Sequence, residues 1–120
     1  MAVRCLIVDD SERFLEVARA GLGRDGLEVV GTATNSAEAL QEMEQLRPDV
    51  VLVDISLGEE SGFDLTRTLA ATPGTDVRIV LISTRSEEDL VDLIAQSPAV
   101  GFIAKARLSA AAVQQLLASR

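Results

Sequence analysis

The sequence has 120 residues, of which 48% are hydrophobic, and this suits one compact domain with a packed core rather than a disordered chain. Its 19 acidic and 11 basic side chains give a formal net charge of −8, which argues against direct binding of nucleic acid or of anionic membranes by this chain. There is no histidine and one cysteine, Cys5, so an imidazole base and an internal disulfide are both excluded.

The first half of the chain predicts three strands and two helices. Apolar, β-branched runs without polar alternation are typical of parallel strands covered on both faces, and Ser or Asn side chains mark helix starts. In chain order these are strand Cys5–Val8, a helix opened by Ser11 that ends near Gly23 and Gly26, strand Glu28–Thr32, a helix opened by Asn35 and Glu38 that Pro48 ends, and strand Val50–Val53. Cys5, inside the first run, is predicted to be a buried small side chain rather than a reactive thiol.

The second half continues the alternation with three helices and two strands. In chain order these are a helix opened by Ser61 and Asp64 that ends at Pro73 and Gly74, strand Val77–Ile82, a helix opened by Ser86 and Asp89 that Pro98 ends, strand Val100–Ala104, and a helix opened by Ser109. Between strand three and the following helix, Glu59 and Glu60 are expected to be solvated loop charges.

Five strands that alternate with five helices predict an α/β fold. Short loops and right-handed crossovers favour a flavodoxin-like, doubly wound parallel sheet of order 2-1-3-4-5 with helices on both faces. We expect a single domain over residues 1–120. No apolar run is long enough to span a bilayer, and no signal peptide opens the chain, so we expect a cytoplasmic protein.

Polar side chains follow four of the predicted strands. In an open parallel sheet these carboxyl ends meet at one edge, where ligands bind. Three carboxylates in one pocket repel one another, and Mg²⁺, which prefers oxygen ligands, would offset that repulsion. A lysine adds a positive point charge. The residues are Asp9 and Asp10 after strand one, Asp54 after strand three, Ser83 and Thr84 after strand four, and Lys105 after strand five.

A carboxylate beside Mg²⁺ can attack phosphorus and form an aspartyl phosphate. The transferred phosphoryl group has three charged oxygens that need separate partners. Mg²⁺, Lys105 and the hydroxyl of Ser83 would each be the partner of one of these oxygens. The predicted edge of the sheet is therefore equipped to capture a phosphoryl group.

Four segments, "LIVDDS", "VLVDISLGEESGFDL", "VLIST" and "GFIAK", resemble the motifs of the receiver domain of bacterial two-component response regulators, in that family's order and spacing. The resemblance implies that Asp54 is the phosphoacceptor and that Asp10 and Asp54 bind Mg²⁺ directly. It also implies that Asp9 acts mainly through water and that the backbone carbonyl of Ser56 is a further ligand.

The resemblance also implies the residues that respond to phosphorylation. Ser83 matches the family's switch hydroxyl, with Thr84 as the alternative, Lys105 matches its lysine, and Phe102 matches its aromatic switch residue. Two positions depart from the family pattern. Gly58 and Ala106 stand where prolines are usual, so a more mobile loop is expected at Gly58, and the isomer of the Lys105–Ala106 bond is left open.

These observations predict a phosphorylation-dependent signalling switch. A sensor histidine kinase or a phosphotransfer protein would supply the phosphoryl group, and the face formed by helix four, strand five and helix five would change its partners, a homodimer being one possibility. The domain would catalyse its own phosphorylation and slow dephosphorylation without turning over a separate substrate, and no effector domain is expected in this chain. One alternative is a degenerate receiver that acts only as an interaction module. A second is an aspartyl-phosphate phosphatase, but Ser56 stands where such an enzyme has its second acid. A third is a flavin binder, but the acidic segment "DDSERF" would repel the flavin phosphate.

Overall fold

Strands and helices alternate along the whole of the computed structural model, which describes residues 2–74 and 76–118. The strands of the main sheet are β1 (Arg4–Val8), β2 (Glu28–Ala33), β3 (Val50–Asp54), β4 (Arg78–Ser83) and β5 (Gly101–Ala104). The helices are α1 (Glu12–Arg24), α2 (Ser36–Leu46), α3 (Gly62–Ala71), α4 (Glu87–Gln96) and α5 (Ala110–Ala118), and a 3₁₀ turn at Lys105–Arg107 joins β5 to α5.

The five strands form one parallel sheet of order β2-β1-β3-β4-β5, which confirms the predicted topology. The predicted strands agree with the observed ones to within one residue at each end. A separate two-residue antiparallel ladder pairs Ser56–Leu57 with Glu60–Ser61 in the loop after β3. We call residues 56–61 the β3–α3 loop.

The core lies on both faces of the sheet. All residues of Cys5–Val8 and Val50–Val53 are fully buried, because β1 and β3 are central strands with helices on each side. Successive side chains point to opposite faces, so Leu6 and Val8 pack on the side of α2, α3 and α4, while Cys5 and Ile7 pack on the side of α1 and α5.

Side-chain caps fix four of the five helix starts. Hydroxyl or amide oxygens of Ser11, Asn35, Ser61 and Ser109 accept hydrogen bonds from amides in the first turns of α1, α2, α3 and α5. Ser86 precedes α4 but differs, because its hydroxyl donates to the Asp89 carboxylate at 3.1 Å and makes no cap to a backbone amide. Among the described residues, no helix combines the length and the apolar character needed to cross a bilayer.

Candidate functional site

Three carboxylates converge at the carboxyl edge of the sheet. The register of β1 and β3 pairs Val8 with Val53, so the residues that follow them, Asp9 and Asp54, lie side by side. One carboxylate oxygen from each of Asp9, Asp10 and Asp54 lies within 4.8 Å of the other two. We call these three residues the acidic cluster, and the structure brings them together as the sequence predicts.

Asp9 is the deepest member of the acidic cluster and is fully buried. Its Oδ1 accepts a hydrogen bond from the amide of Ser11 at 2.8 Å, which turns the chain into α1. Its Oδ2 lies 2.6 Å from Nζ of Lys105, and within the described part of the chain this buried oxygen accepts no hydrogen bond of normal geometry. Asp10 is exposed to solvent, so the cluster is open on that side.

Lys105 joins two of the three carboxylates. It follows β5, and its Nζ lies 2.6 Å from Asp9 Oδ2 and donates a hydrogen bond to Asp54 Oδ2 at 3.1 Å. Burial of the ammonium lowers its pKa, but the close contact with Asp9, the hydrogen bond to Asp54 and the negative charges of both carboxylates outweigh burial, so the pKa of Lys105 is raised. The side chain is therefore a fixed positive charge at neutral pH.

Asp54 ends β3 and is almost fully buried, with 5% of its surface exposed. Its Oδ1 accepts a hydrogen bond from the amide of Ser56 at 3.2 Å. Burial and the negative charge of Asp9 raise the pKa of Asp54, against the opposing effect of the hydrogen bonds from Lys105 and Ser56. In the absence of a metal, the environment of Asp54 thus disfavours its negative charge.

The donor set fits Mg²⁺. All the side-chain donors are hard carboxylate oxygens from three residues, and this ion prefers one or two carboxylates completed by water. The three carboxylates and the Lys105 ammonium leave a formal charge of −2, which a divalent cation neutralises. Ser56, whose carbonyl is the further ligand expected, lies two residues beyond Asp54 at the start of the β3–α3 loop.

Ser83 lies at the same edge of the sheet. The β3–β4 register pairs Asp54 with Ile82, the residue before Ser83. Ser83 is buried and its Oγ accepts a hydrogen bond from the amide of Arg85 at 3.0 Å, whereas Thr84 is exposed. Of the two hydroxyl residues after β4, Ser83 is therefore the one buried at this edge of the sheet.

The arrangement of acids, hydroxyl and lysine can be compared with known proteins. The family model for the response regulator receiver domain matches residues 5–117. The chain belongs to the response regulator receiver family. Receiver domains are phosphorylated by histidine kinases or phosphotransfer proteins and typically bind Mg²⁺ at an acidic pocket.

The curated relatives of this receiver domain include proteins with different architectures. The chain is 32% identical over 119 residues to response regulator GacA of Pseudomonas viridiflava, covering 95% of this chain and 53% of that protein. It is 42% identical over 90 residues to a protein-glutamate methylesterase/protein-glutamine glutaminase of a Nocardioides species, covering 74% of this chain and 24% of that protein. The chain thus spans about a quarter to a half of these relatives. It is also 30% identical over 105 residues to the chemotaxis protein CheY of Thermotoga maritima, covering 88% of this chain and 87% of that protein.

Solved receiver domains share the fold over nearly the whole chain. The receiver domain of the NarL response regulator from Mycobacterium tuberculosis superposes with a TM-score of 0.84 at 27% identity, covering 99% of this chain and 98% of that one. A LuxR-family response regulator from an Aurantimonas species gives a TM-score of 0.87 at 26% identity, covering 100% of this chain and 88% of that one.

Two positions where this receiver domain departs from the family pattern have defined backbone conformations. Gly58 has φ +65°, in the left-handed region, which a proline with φ near −65° could not adopt. The described residues contain no cis peptide bond, so the Lys105–Ala106 bond is trans. The loop at Gly58 therefore follows a path that favours glycine and excludes proline.

Gly62 allows close backbone packing against the predicted phosphoacceptor. Its amide donates to the carbonyl of Ile55 at 2.7 Å, and a Cβ at this position would lie 2.1 Å from the main-chain oxygen of Asp54. A side chain at residue 62 would thus displace the end of β3, which carries the Asp54 carboxylate.

Phe102 lies on β5, where its register partner is Leu81. The ring is half-buried against the core on the α4 side and lines a surface groove with Glu87, Val91 and Leu116. Phe102 therefore belongs to the face formed by α4, β5 and α5, which we call the α4–β5–α5 face.

Two contacts at the site were not expected from the sequence. The ring of Phe14, in the first turn of α1, lies against the Lys105 ammonium with 4.3 Å between Nζ and the ring centroid. Glu60, expected to be a solvated loop charge, is exposed and also accepts a hydrogen bond from the amide of Ser36 at 2.9 Å through its Oε1. Neither pairing has a local sequence signal, because the partners are 91 and 24 residues apart.

Proposed function

We propose that this receiver domain accepts a phosphoryl group on Asp54 in the presence of Mg²⁺, from a sensor histidine kinase or a phosphotransfer protein. One observation carries the proposal. The Lys105 ammonium links the carboxylates of Asp9 and Asp54, at 2.6 Å and 3.1 Å, while the exposed Asp10 lies within 4.8 Å of both. A nucleophile, metal ligands and a cation for a phosphoryl oxygen are therefore in one pocket.

Asp10 and Asp54 would hold Mg²⁺ directly, Asp9 would act mainly through bound water, and the Ser56 carbonyl would complete the protein ligands. When bound, the ion neutralises charge on the phosphoryl oxygens and so lowers the barrier to attack by an anion. The buried Asp9 is suited to a supporting role, because its two oxygens already face the Ser11 amide and the Lys105 ammonium.

The chemical step transfers a phosphoryl group between two nucleophiles. A carboxylate oxygen of Asp54 forms a bond to phosphorus as the bond from phosphorus to the donor's histidine nitrogen breaks, and the electron pair leaves with that nitrogen. Lys105 then exchanges its contact with Asp54 for a phosphoryl oxygen and retains its contact with Asp9. No histidine or other base is needed in this chain, because bound Mg²⁺ would favour the ionised carboxylate of Asp54, which attacks without a proton to remove.

The phosphorylated state would be relayed by Ser83, Lys105 and Phe102. The dianion would attract the Ser83 hydroxyl, and the short segment from Ser83 to α4 would follow, which changes the groove beside Phe102 on the α4–β5–α5 face. This is a shift in population between two conformations. A homodimer formed through that face is one output that this shift would control, and the net charge of −8 disfavours direct nucleic-acid binding by the domain.

The test is phosphorylation by acetyl phosphate in the presence of Mg²⁺, followed by intact mass spectrometry. The wild type is expected to gain the mass of one phosphoryl group, and Asp54→Asn and samples with excess EDTA are expected to gain none. A gain that persists in Asp54→Asn would remove Asp54 from the mechanism. If the folded wild type gains no mass, the domain acts only as an interaction module. If it hydrolyses a chromogenic phosphate ester with turnover, it is a phosphatase.

A further inference from the structure

Glu60 connects the β3–α3 loop to a distant part of the chain. Its Oε1 accepts a hydrogen bond from the backbone amide of Ser36, the first residue of α2, at 2.9 Å. This amide has no partner within its own helix, because the first four amides of a helix have none. A carboxylate at that position also interacts favourably with the helix dipole. The contact therefore holds the loop against α2.

The loop held by Glu60 touches the residues proposed to bind the metal. At its start, the amide of Ser56 donates to Asp54 Oδ1 at 3.2 Å. In its middle, a Cβ built on Gly58 would lie 3.8 Å from Asp10 Oδ2, so the loop backbone passes beside that carboxylate. The position of the loop thus bears on two of the proposed carboxylate ligands and on the carbonyl of Ser56.

We propose that Glu60 is a positioning residue that sets the affinity of the site for Mg²⁺ by fixing the β3–α3 loop over the acidic cluster. The inference rests on the proposed function, since it concerns the same metal site. Gly58, with φ +65°, stands where the family usually has a rigid proline. The ladder between Ser56–Leu57 and Glu60–Ser61 holds the loop to itself, and the bond from Glu60 to Ser36 ties it to α2.

Glu59 supplies a matched control. It is adjacent to Glu60, equally charged and exposed, and within residues 2–74 and 76–118 it makes no hydrogen bond or ion pair. Substitution of either glutamate by alanine removes one negative charge from the loop. Only the substitution at Glu60 also removes the bond to Ser36. Glu60→Gln removes the charge and retains an oxygen that can accept this bond.

The experiment is a Mg²⁺ titration of wild type, Glu59→Ala, Glu60→Ala and Glu60→Gln, followed by two-dimensional amide NMR at fixed ionic strength. Loss of one charge-assisted hydrogen bond predicts a dissociation constant for Glu60→Ala about three times that of Glu59→Ala. Glu60→Gln is expected to match Glu59→Ala. Without metal, the Ser36 amide proton is expected to move upfield in Glu60→Ala and to stay in place in Glu59→Ala.

The outcomes separate this inference from the proposed function. If the wild type binds Mg²⁺ and the two alanine variants bind it equally, Glu60 acts only through its charge and the positioning role is wrong. If Glu60→Gln is as weak as Glu60→Ala, the hydrogen bond is not the cause and the role is again wrong. If the folded wild type binds no Mg²⁺, the proposed function loses its metal and the inference is overturned with it.

Discussion

The ammonium of Lys105 lies over the ring of Phe14, with Nζ 4.3 Å from the ring centroid. Asp9 and Asp54 contact the same nitrogen, at 2.6 Å and 3.1 Å. Only 15% of the lysine side chain is exposed. The aromatic face therefore helps to keep the cation in the pocket and to exclude water from it.

Substitution of Phe14 by leucine tests this contact. Leucine retains much of the apolar volume but lacks the aromatic face, so phosphorylation by acetyl phosphate is expected to slow by about two- to fivefold. The rate is measured by intact mass, after a thermal melt establishes that the variant is folded. Phe14→Tyr retains the aromatic face and is expected to react like the wild type. A leucine variant as fast as the wild type would show that the ring has no role beyond packing.

Gly62→Ala is expected to destabilise the domain by about 3 kcal/mol, because the new Cβ would lie 2.1 Å from the main-chain oxygen of Asp54 and the end of β3 would have to move. Urea denaturation measures the free energy of unfolding. The control is Gly21→Ala in α1, where the added carbon has no described atom within 4 Å apart from those of its own stretch of helix, and a gain of about 0.5 to 1 kcal/mol is expected from helix propensity. Equal stabilities of the two variants would contradict the close packing at Gly62.

The raised pKa of Asp54 predicts a pH dependence of stability in the absence of metal. Burial and the charge of Asp9 favour the protonated form of Asp54 in the folded state. The protonated carboxyl therefore contributes its full stabilisation of the folded state below the ordinary aspartate pKa of about 3.9. It is lost as the pH rises from that value through the raised pKa. Asp54→Asn removes this contribution. The free energy of unfolding is measured from pH 3 upward in the presence of EDTA, and it is expected to decrease less with pH for Asp54→Asn than for the wild type. If the two proteins lose stability in parallel as the pH rises, the pKa of Asp54 is not raised.

Mg²⁺ is expected to reverse that dependence, because it binds the ionised carboxylates. Saturating metal should raise the melting temperature of the wild type near neutral pH and should have a smaller effect as the pH falls through the raised pKa of Asp54. Asp10→Asn keeps the buried pair of Asp9 and Lys105 and removes an exposed ligand. This variant is expected to melt like the wild type in EDTA and to respond less to Mg²⁺. An undiminished response would place the metal elsewhere.

Cys5 is expected to be unreactive in the folded protein. Burial raises the pKa of its thiol to about 12, so almost no thiolate is present at neutral pH. Ellman's reagent should label it rapidly in denaturant and slowly without it. Because the pKa is raised, the neutral thiol contributes stability below the ordinary value of 9.0, and this is lost as the pH rises toward 12. Cys5→Ala should not show this loss of stability at high pH. Rapid labelling of the native wild type by Ellman's reagent would contradict the burial of the Cys5 thiol.

The sequence determined the fold and the membership of the acidic cluster. Strands β1 and β3 are buried on both faces, so they appear as apolar runs with sharp ends at Val8 and Val53. The residue after a parallel strand lies at the carboxyl edge of the sheet, and the predicted order 2-1-3-4-5 makes β1 and β3 neighbours, so these two rules together place Asp9 beside Asp54. The capping side chains likewise act within a few residues of one another and were visible in the sequence.

Only the tertiary structure decided which contacts orient those side chains. The ring of Phe14 reaches Lys105 across 91 residues, and Glu60 reaches the amide of Ser36 across 24. Such pairs depend on the path of a loop and on the angle of a helix against the sheet, which result from packing of the whole domain. The hydrophobic pattern of the sequence indicates which face of a helix or strand is buried. It does not indicate which distant residue will contact a given polar side chain.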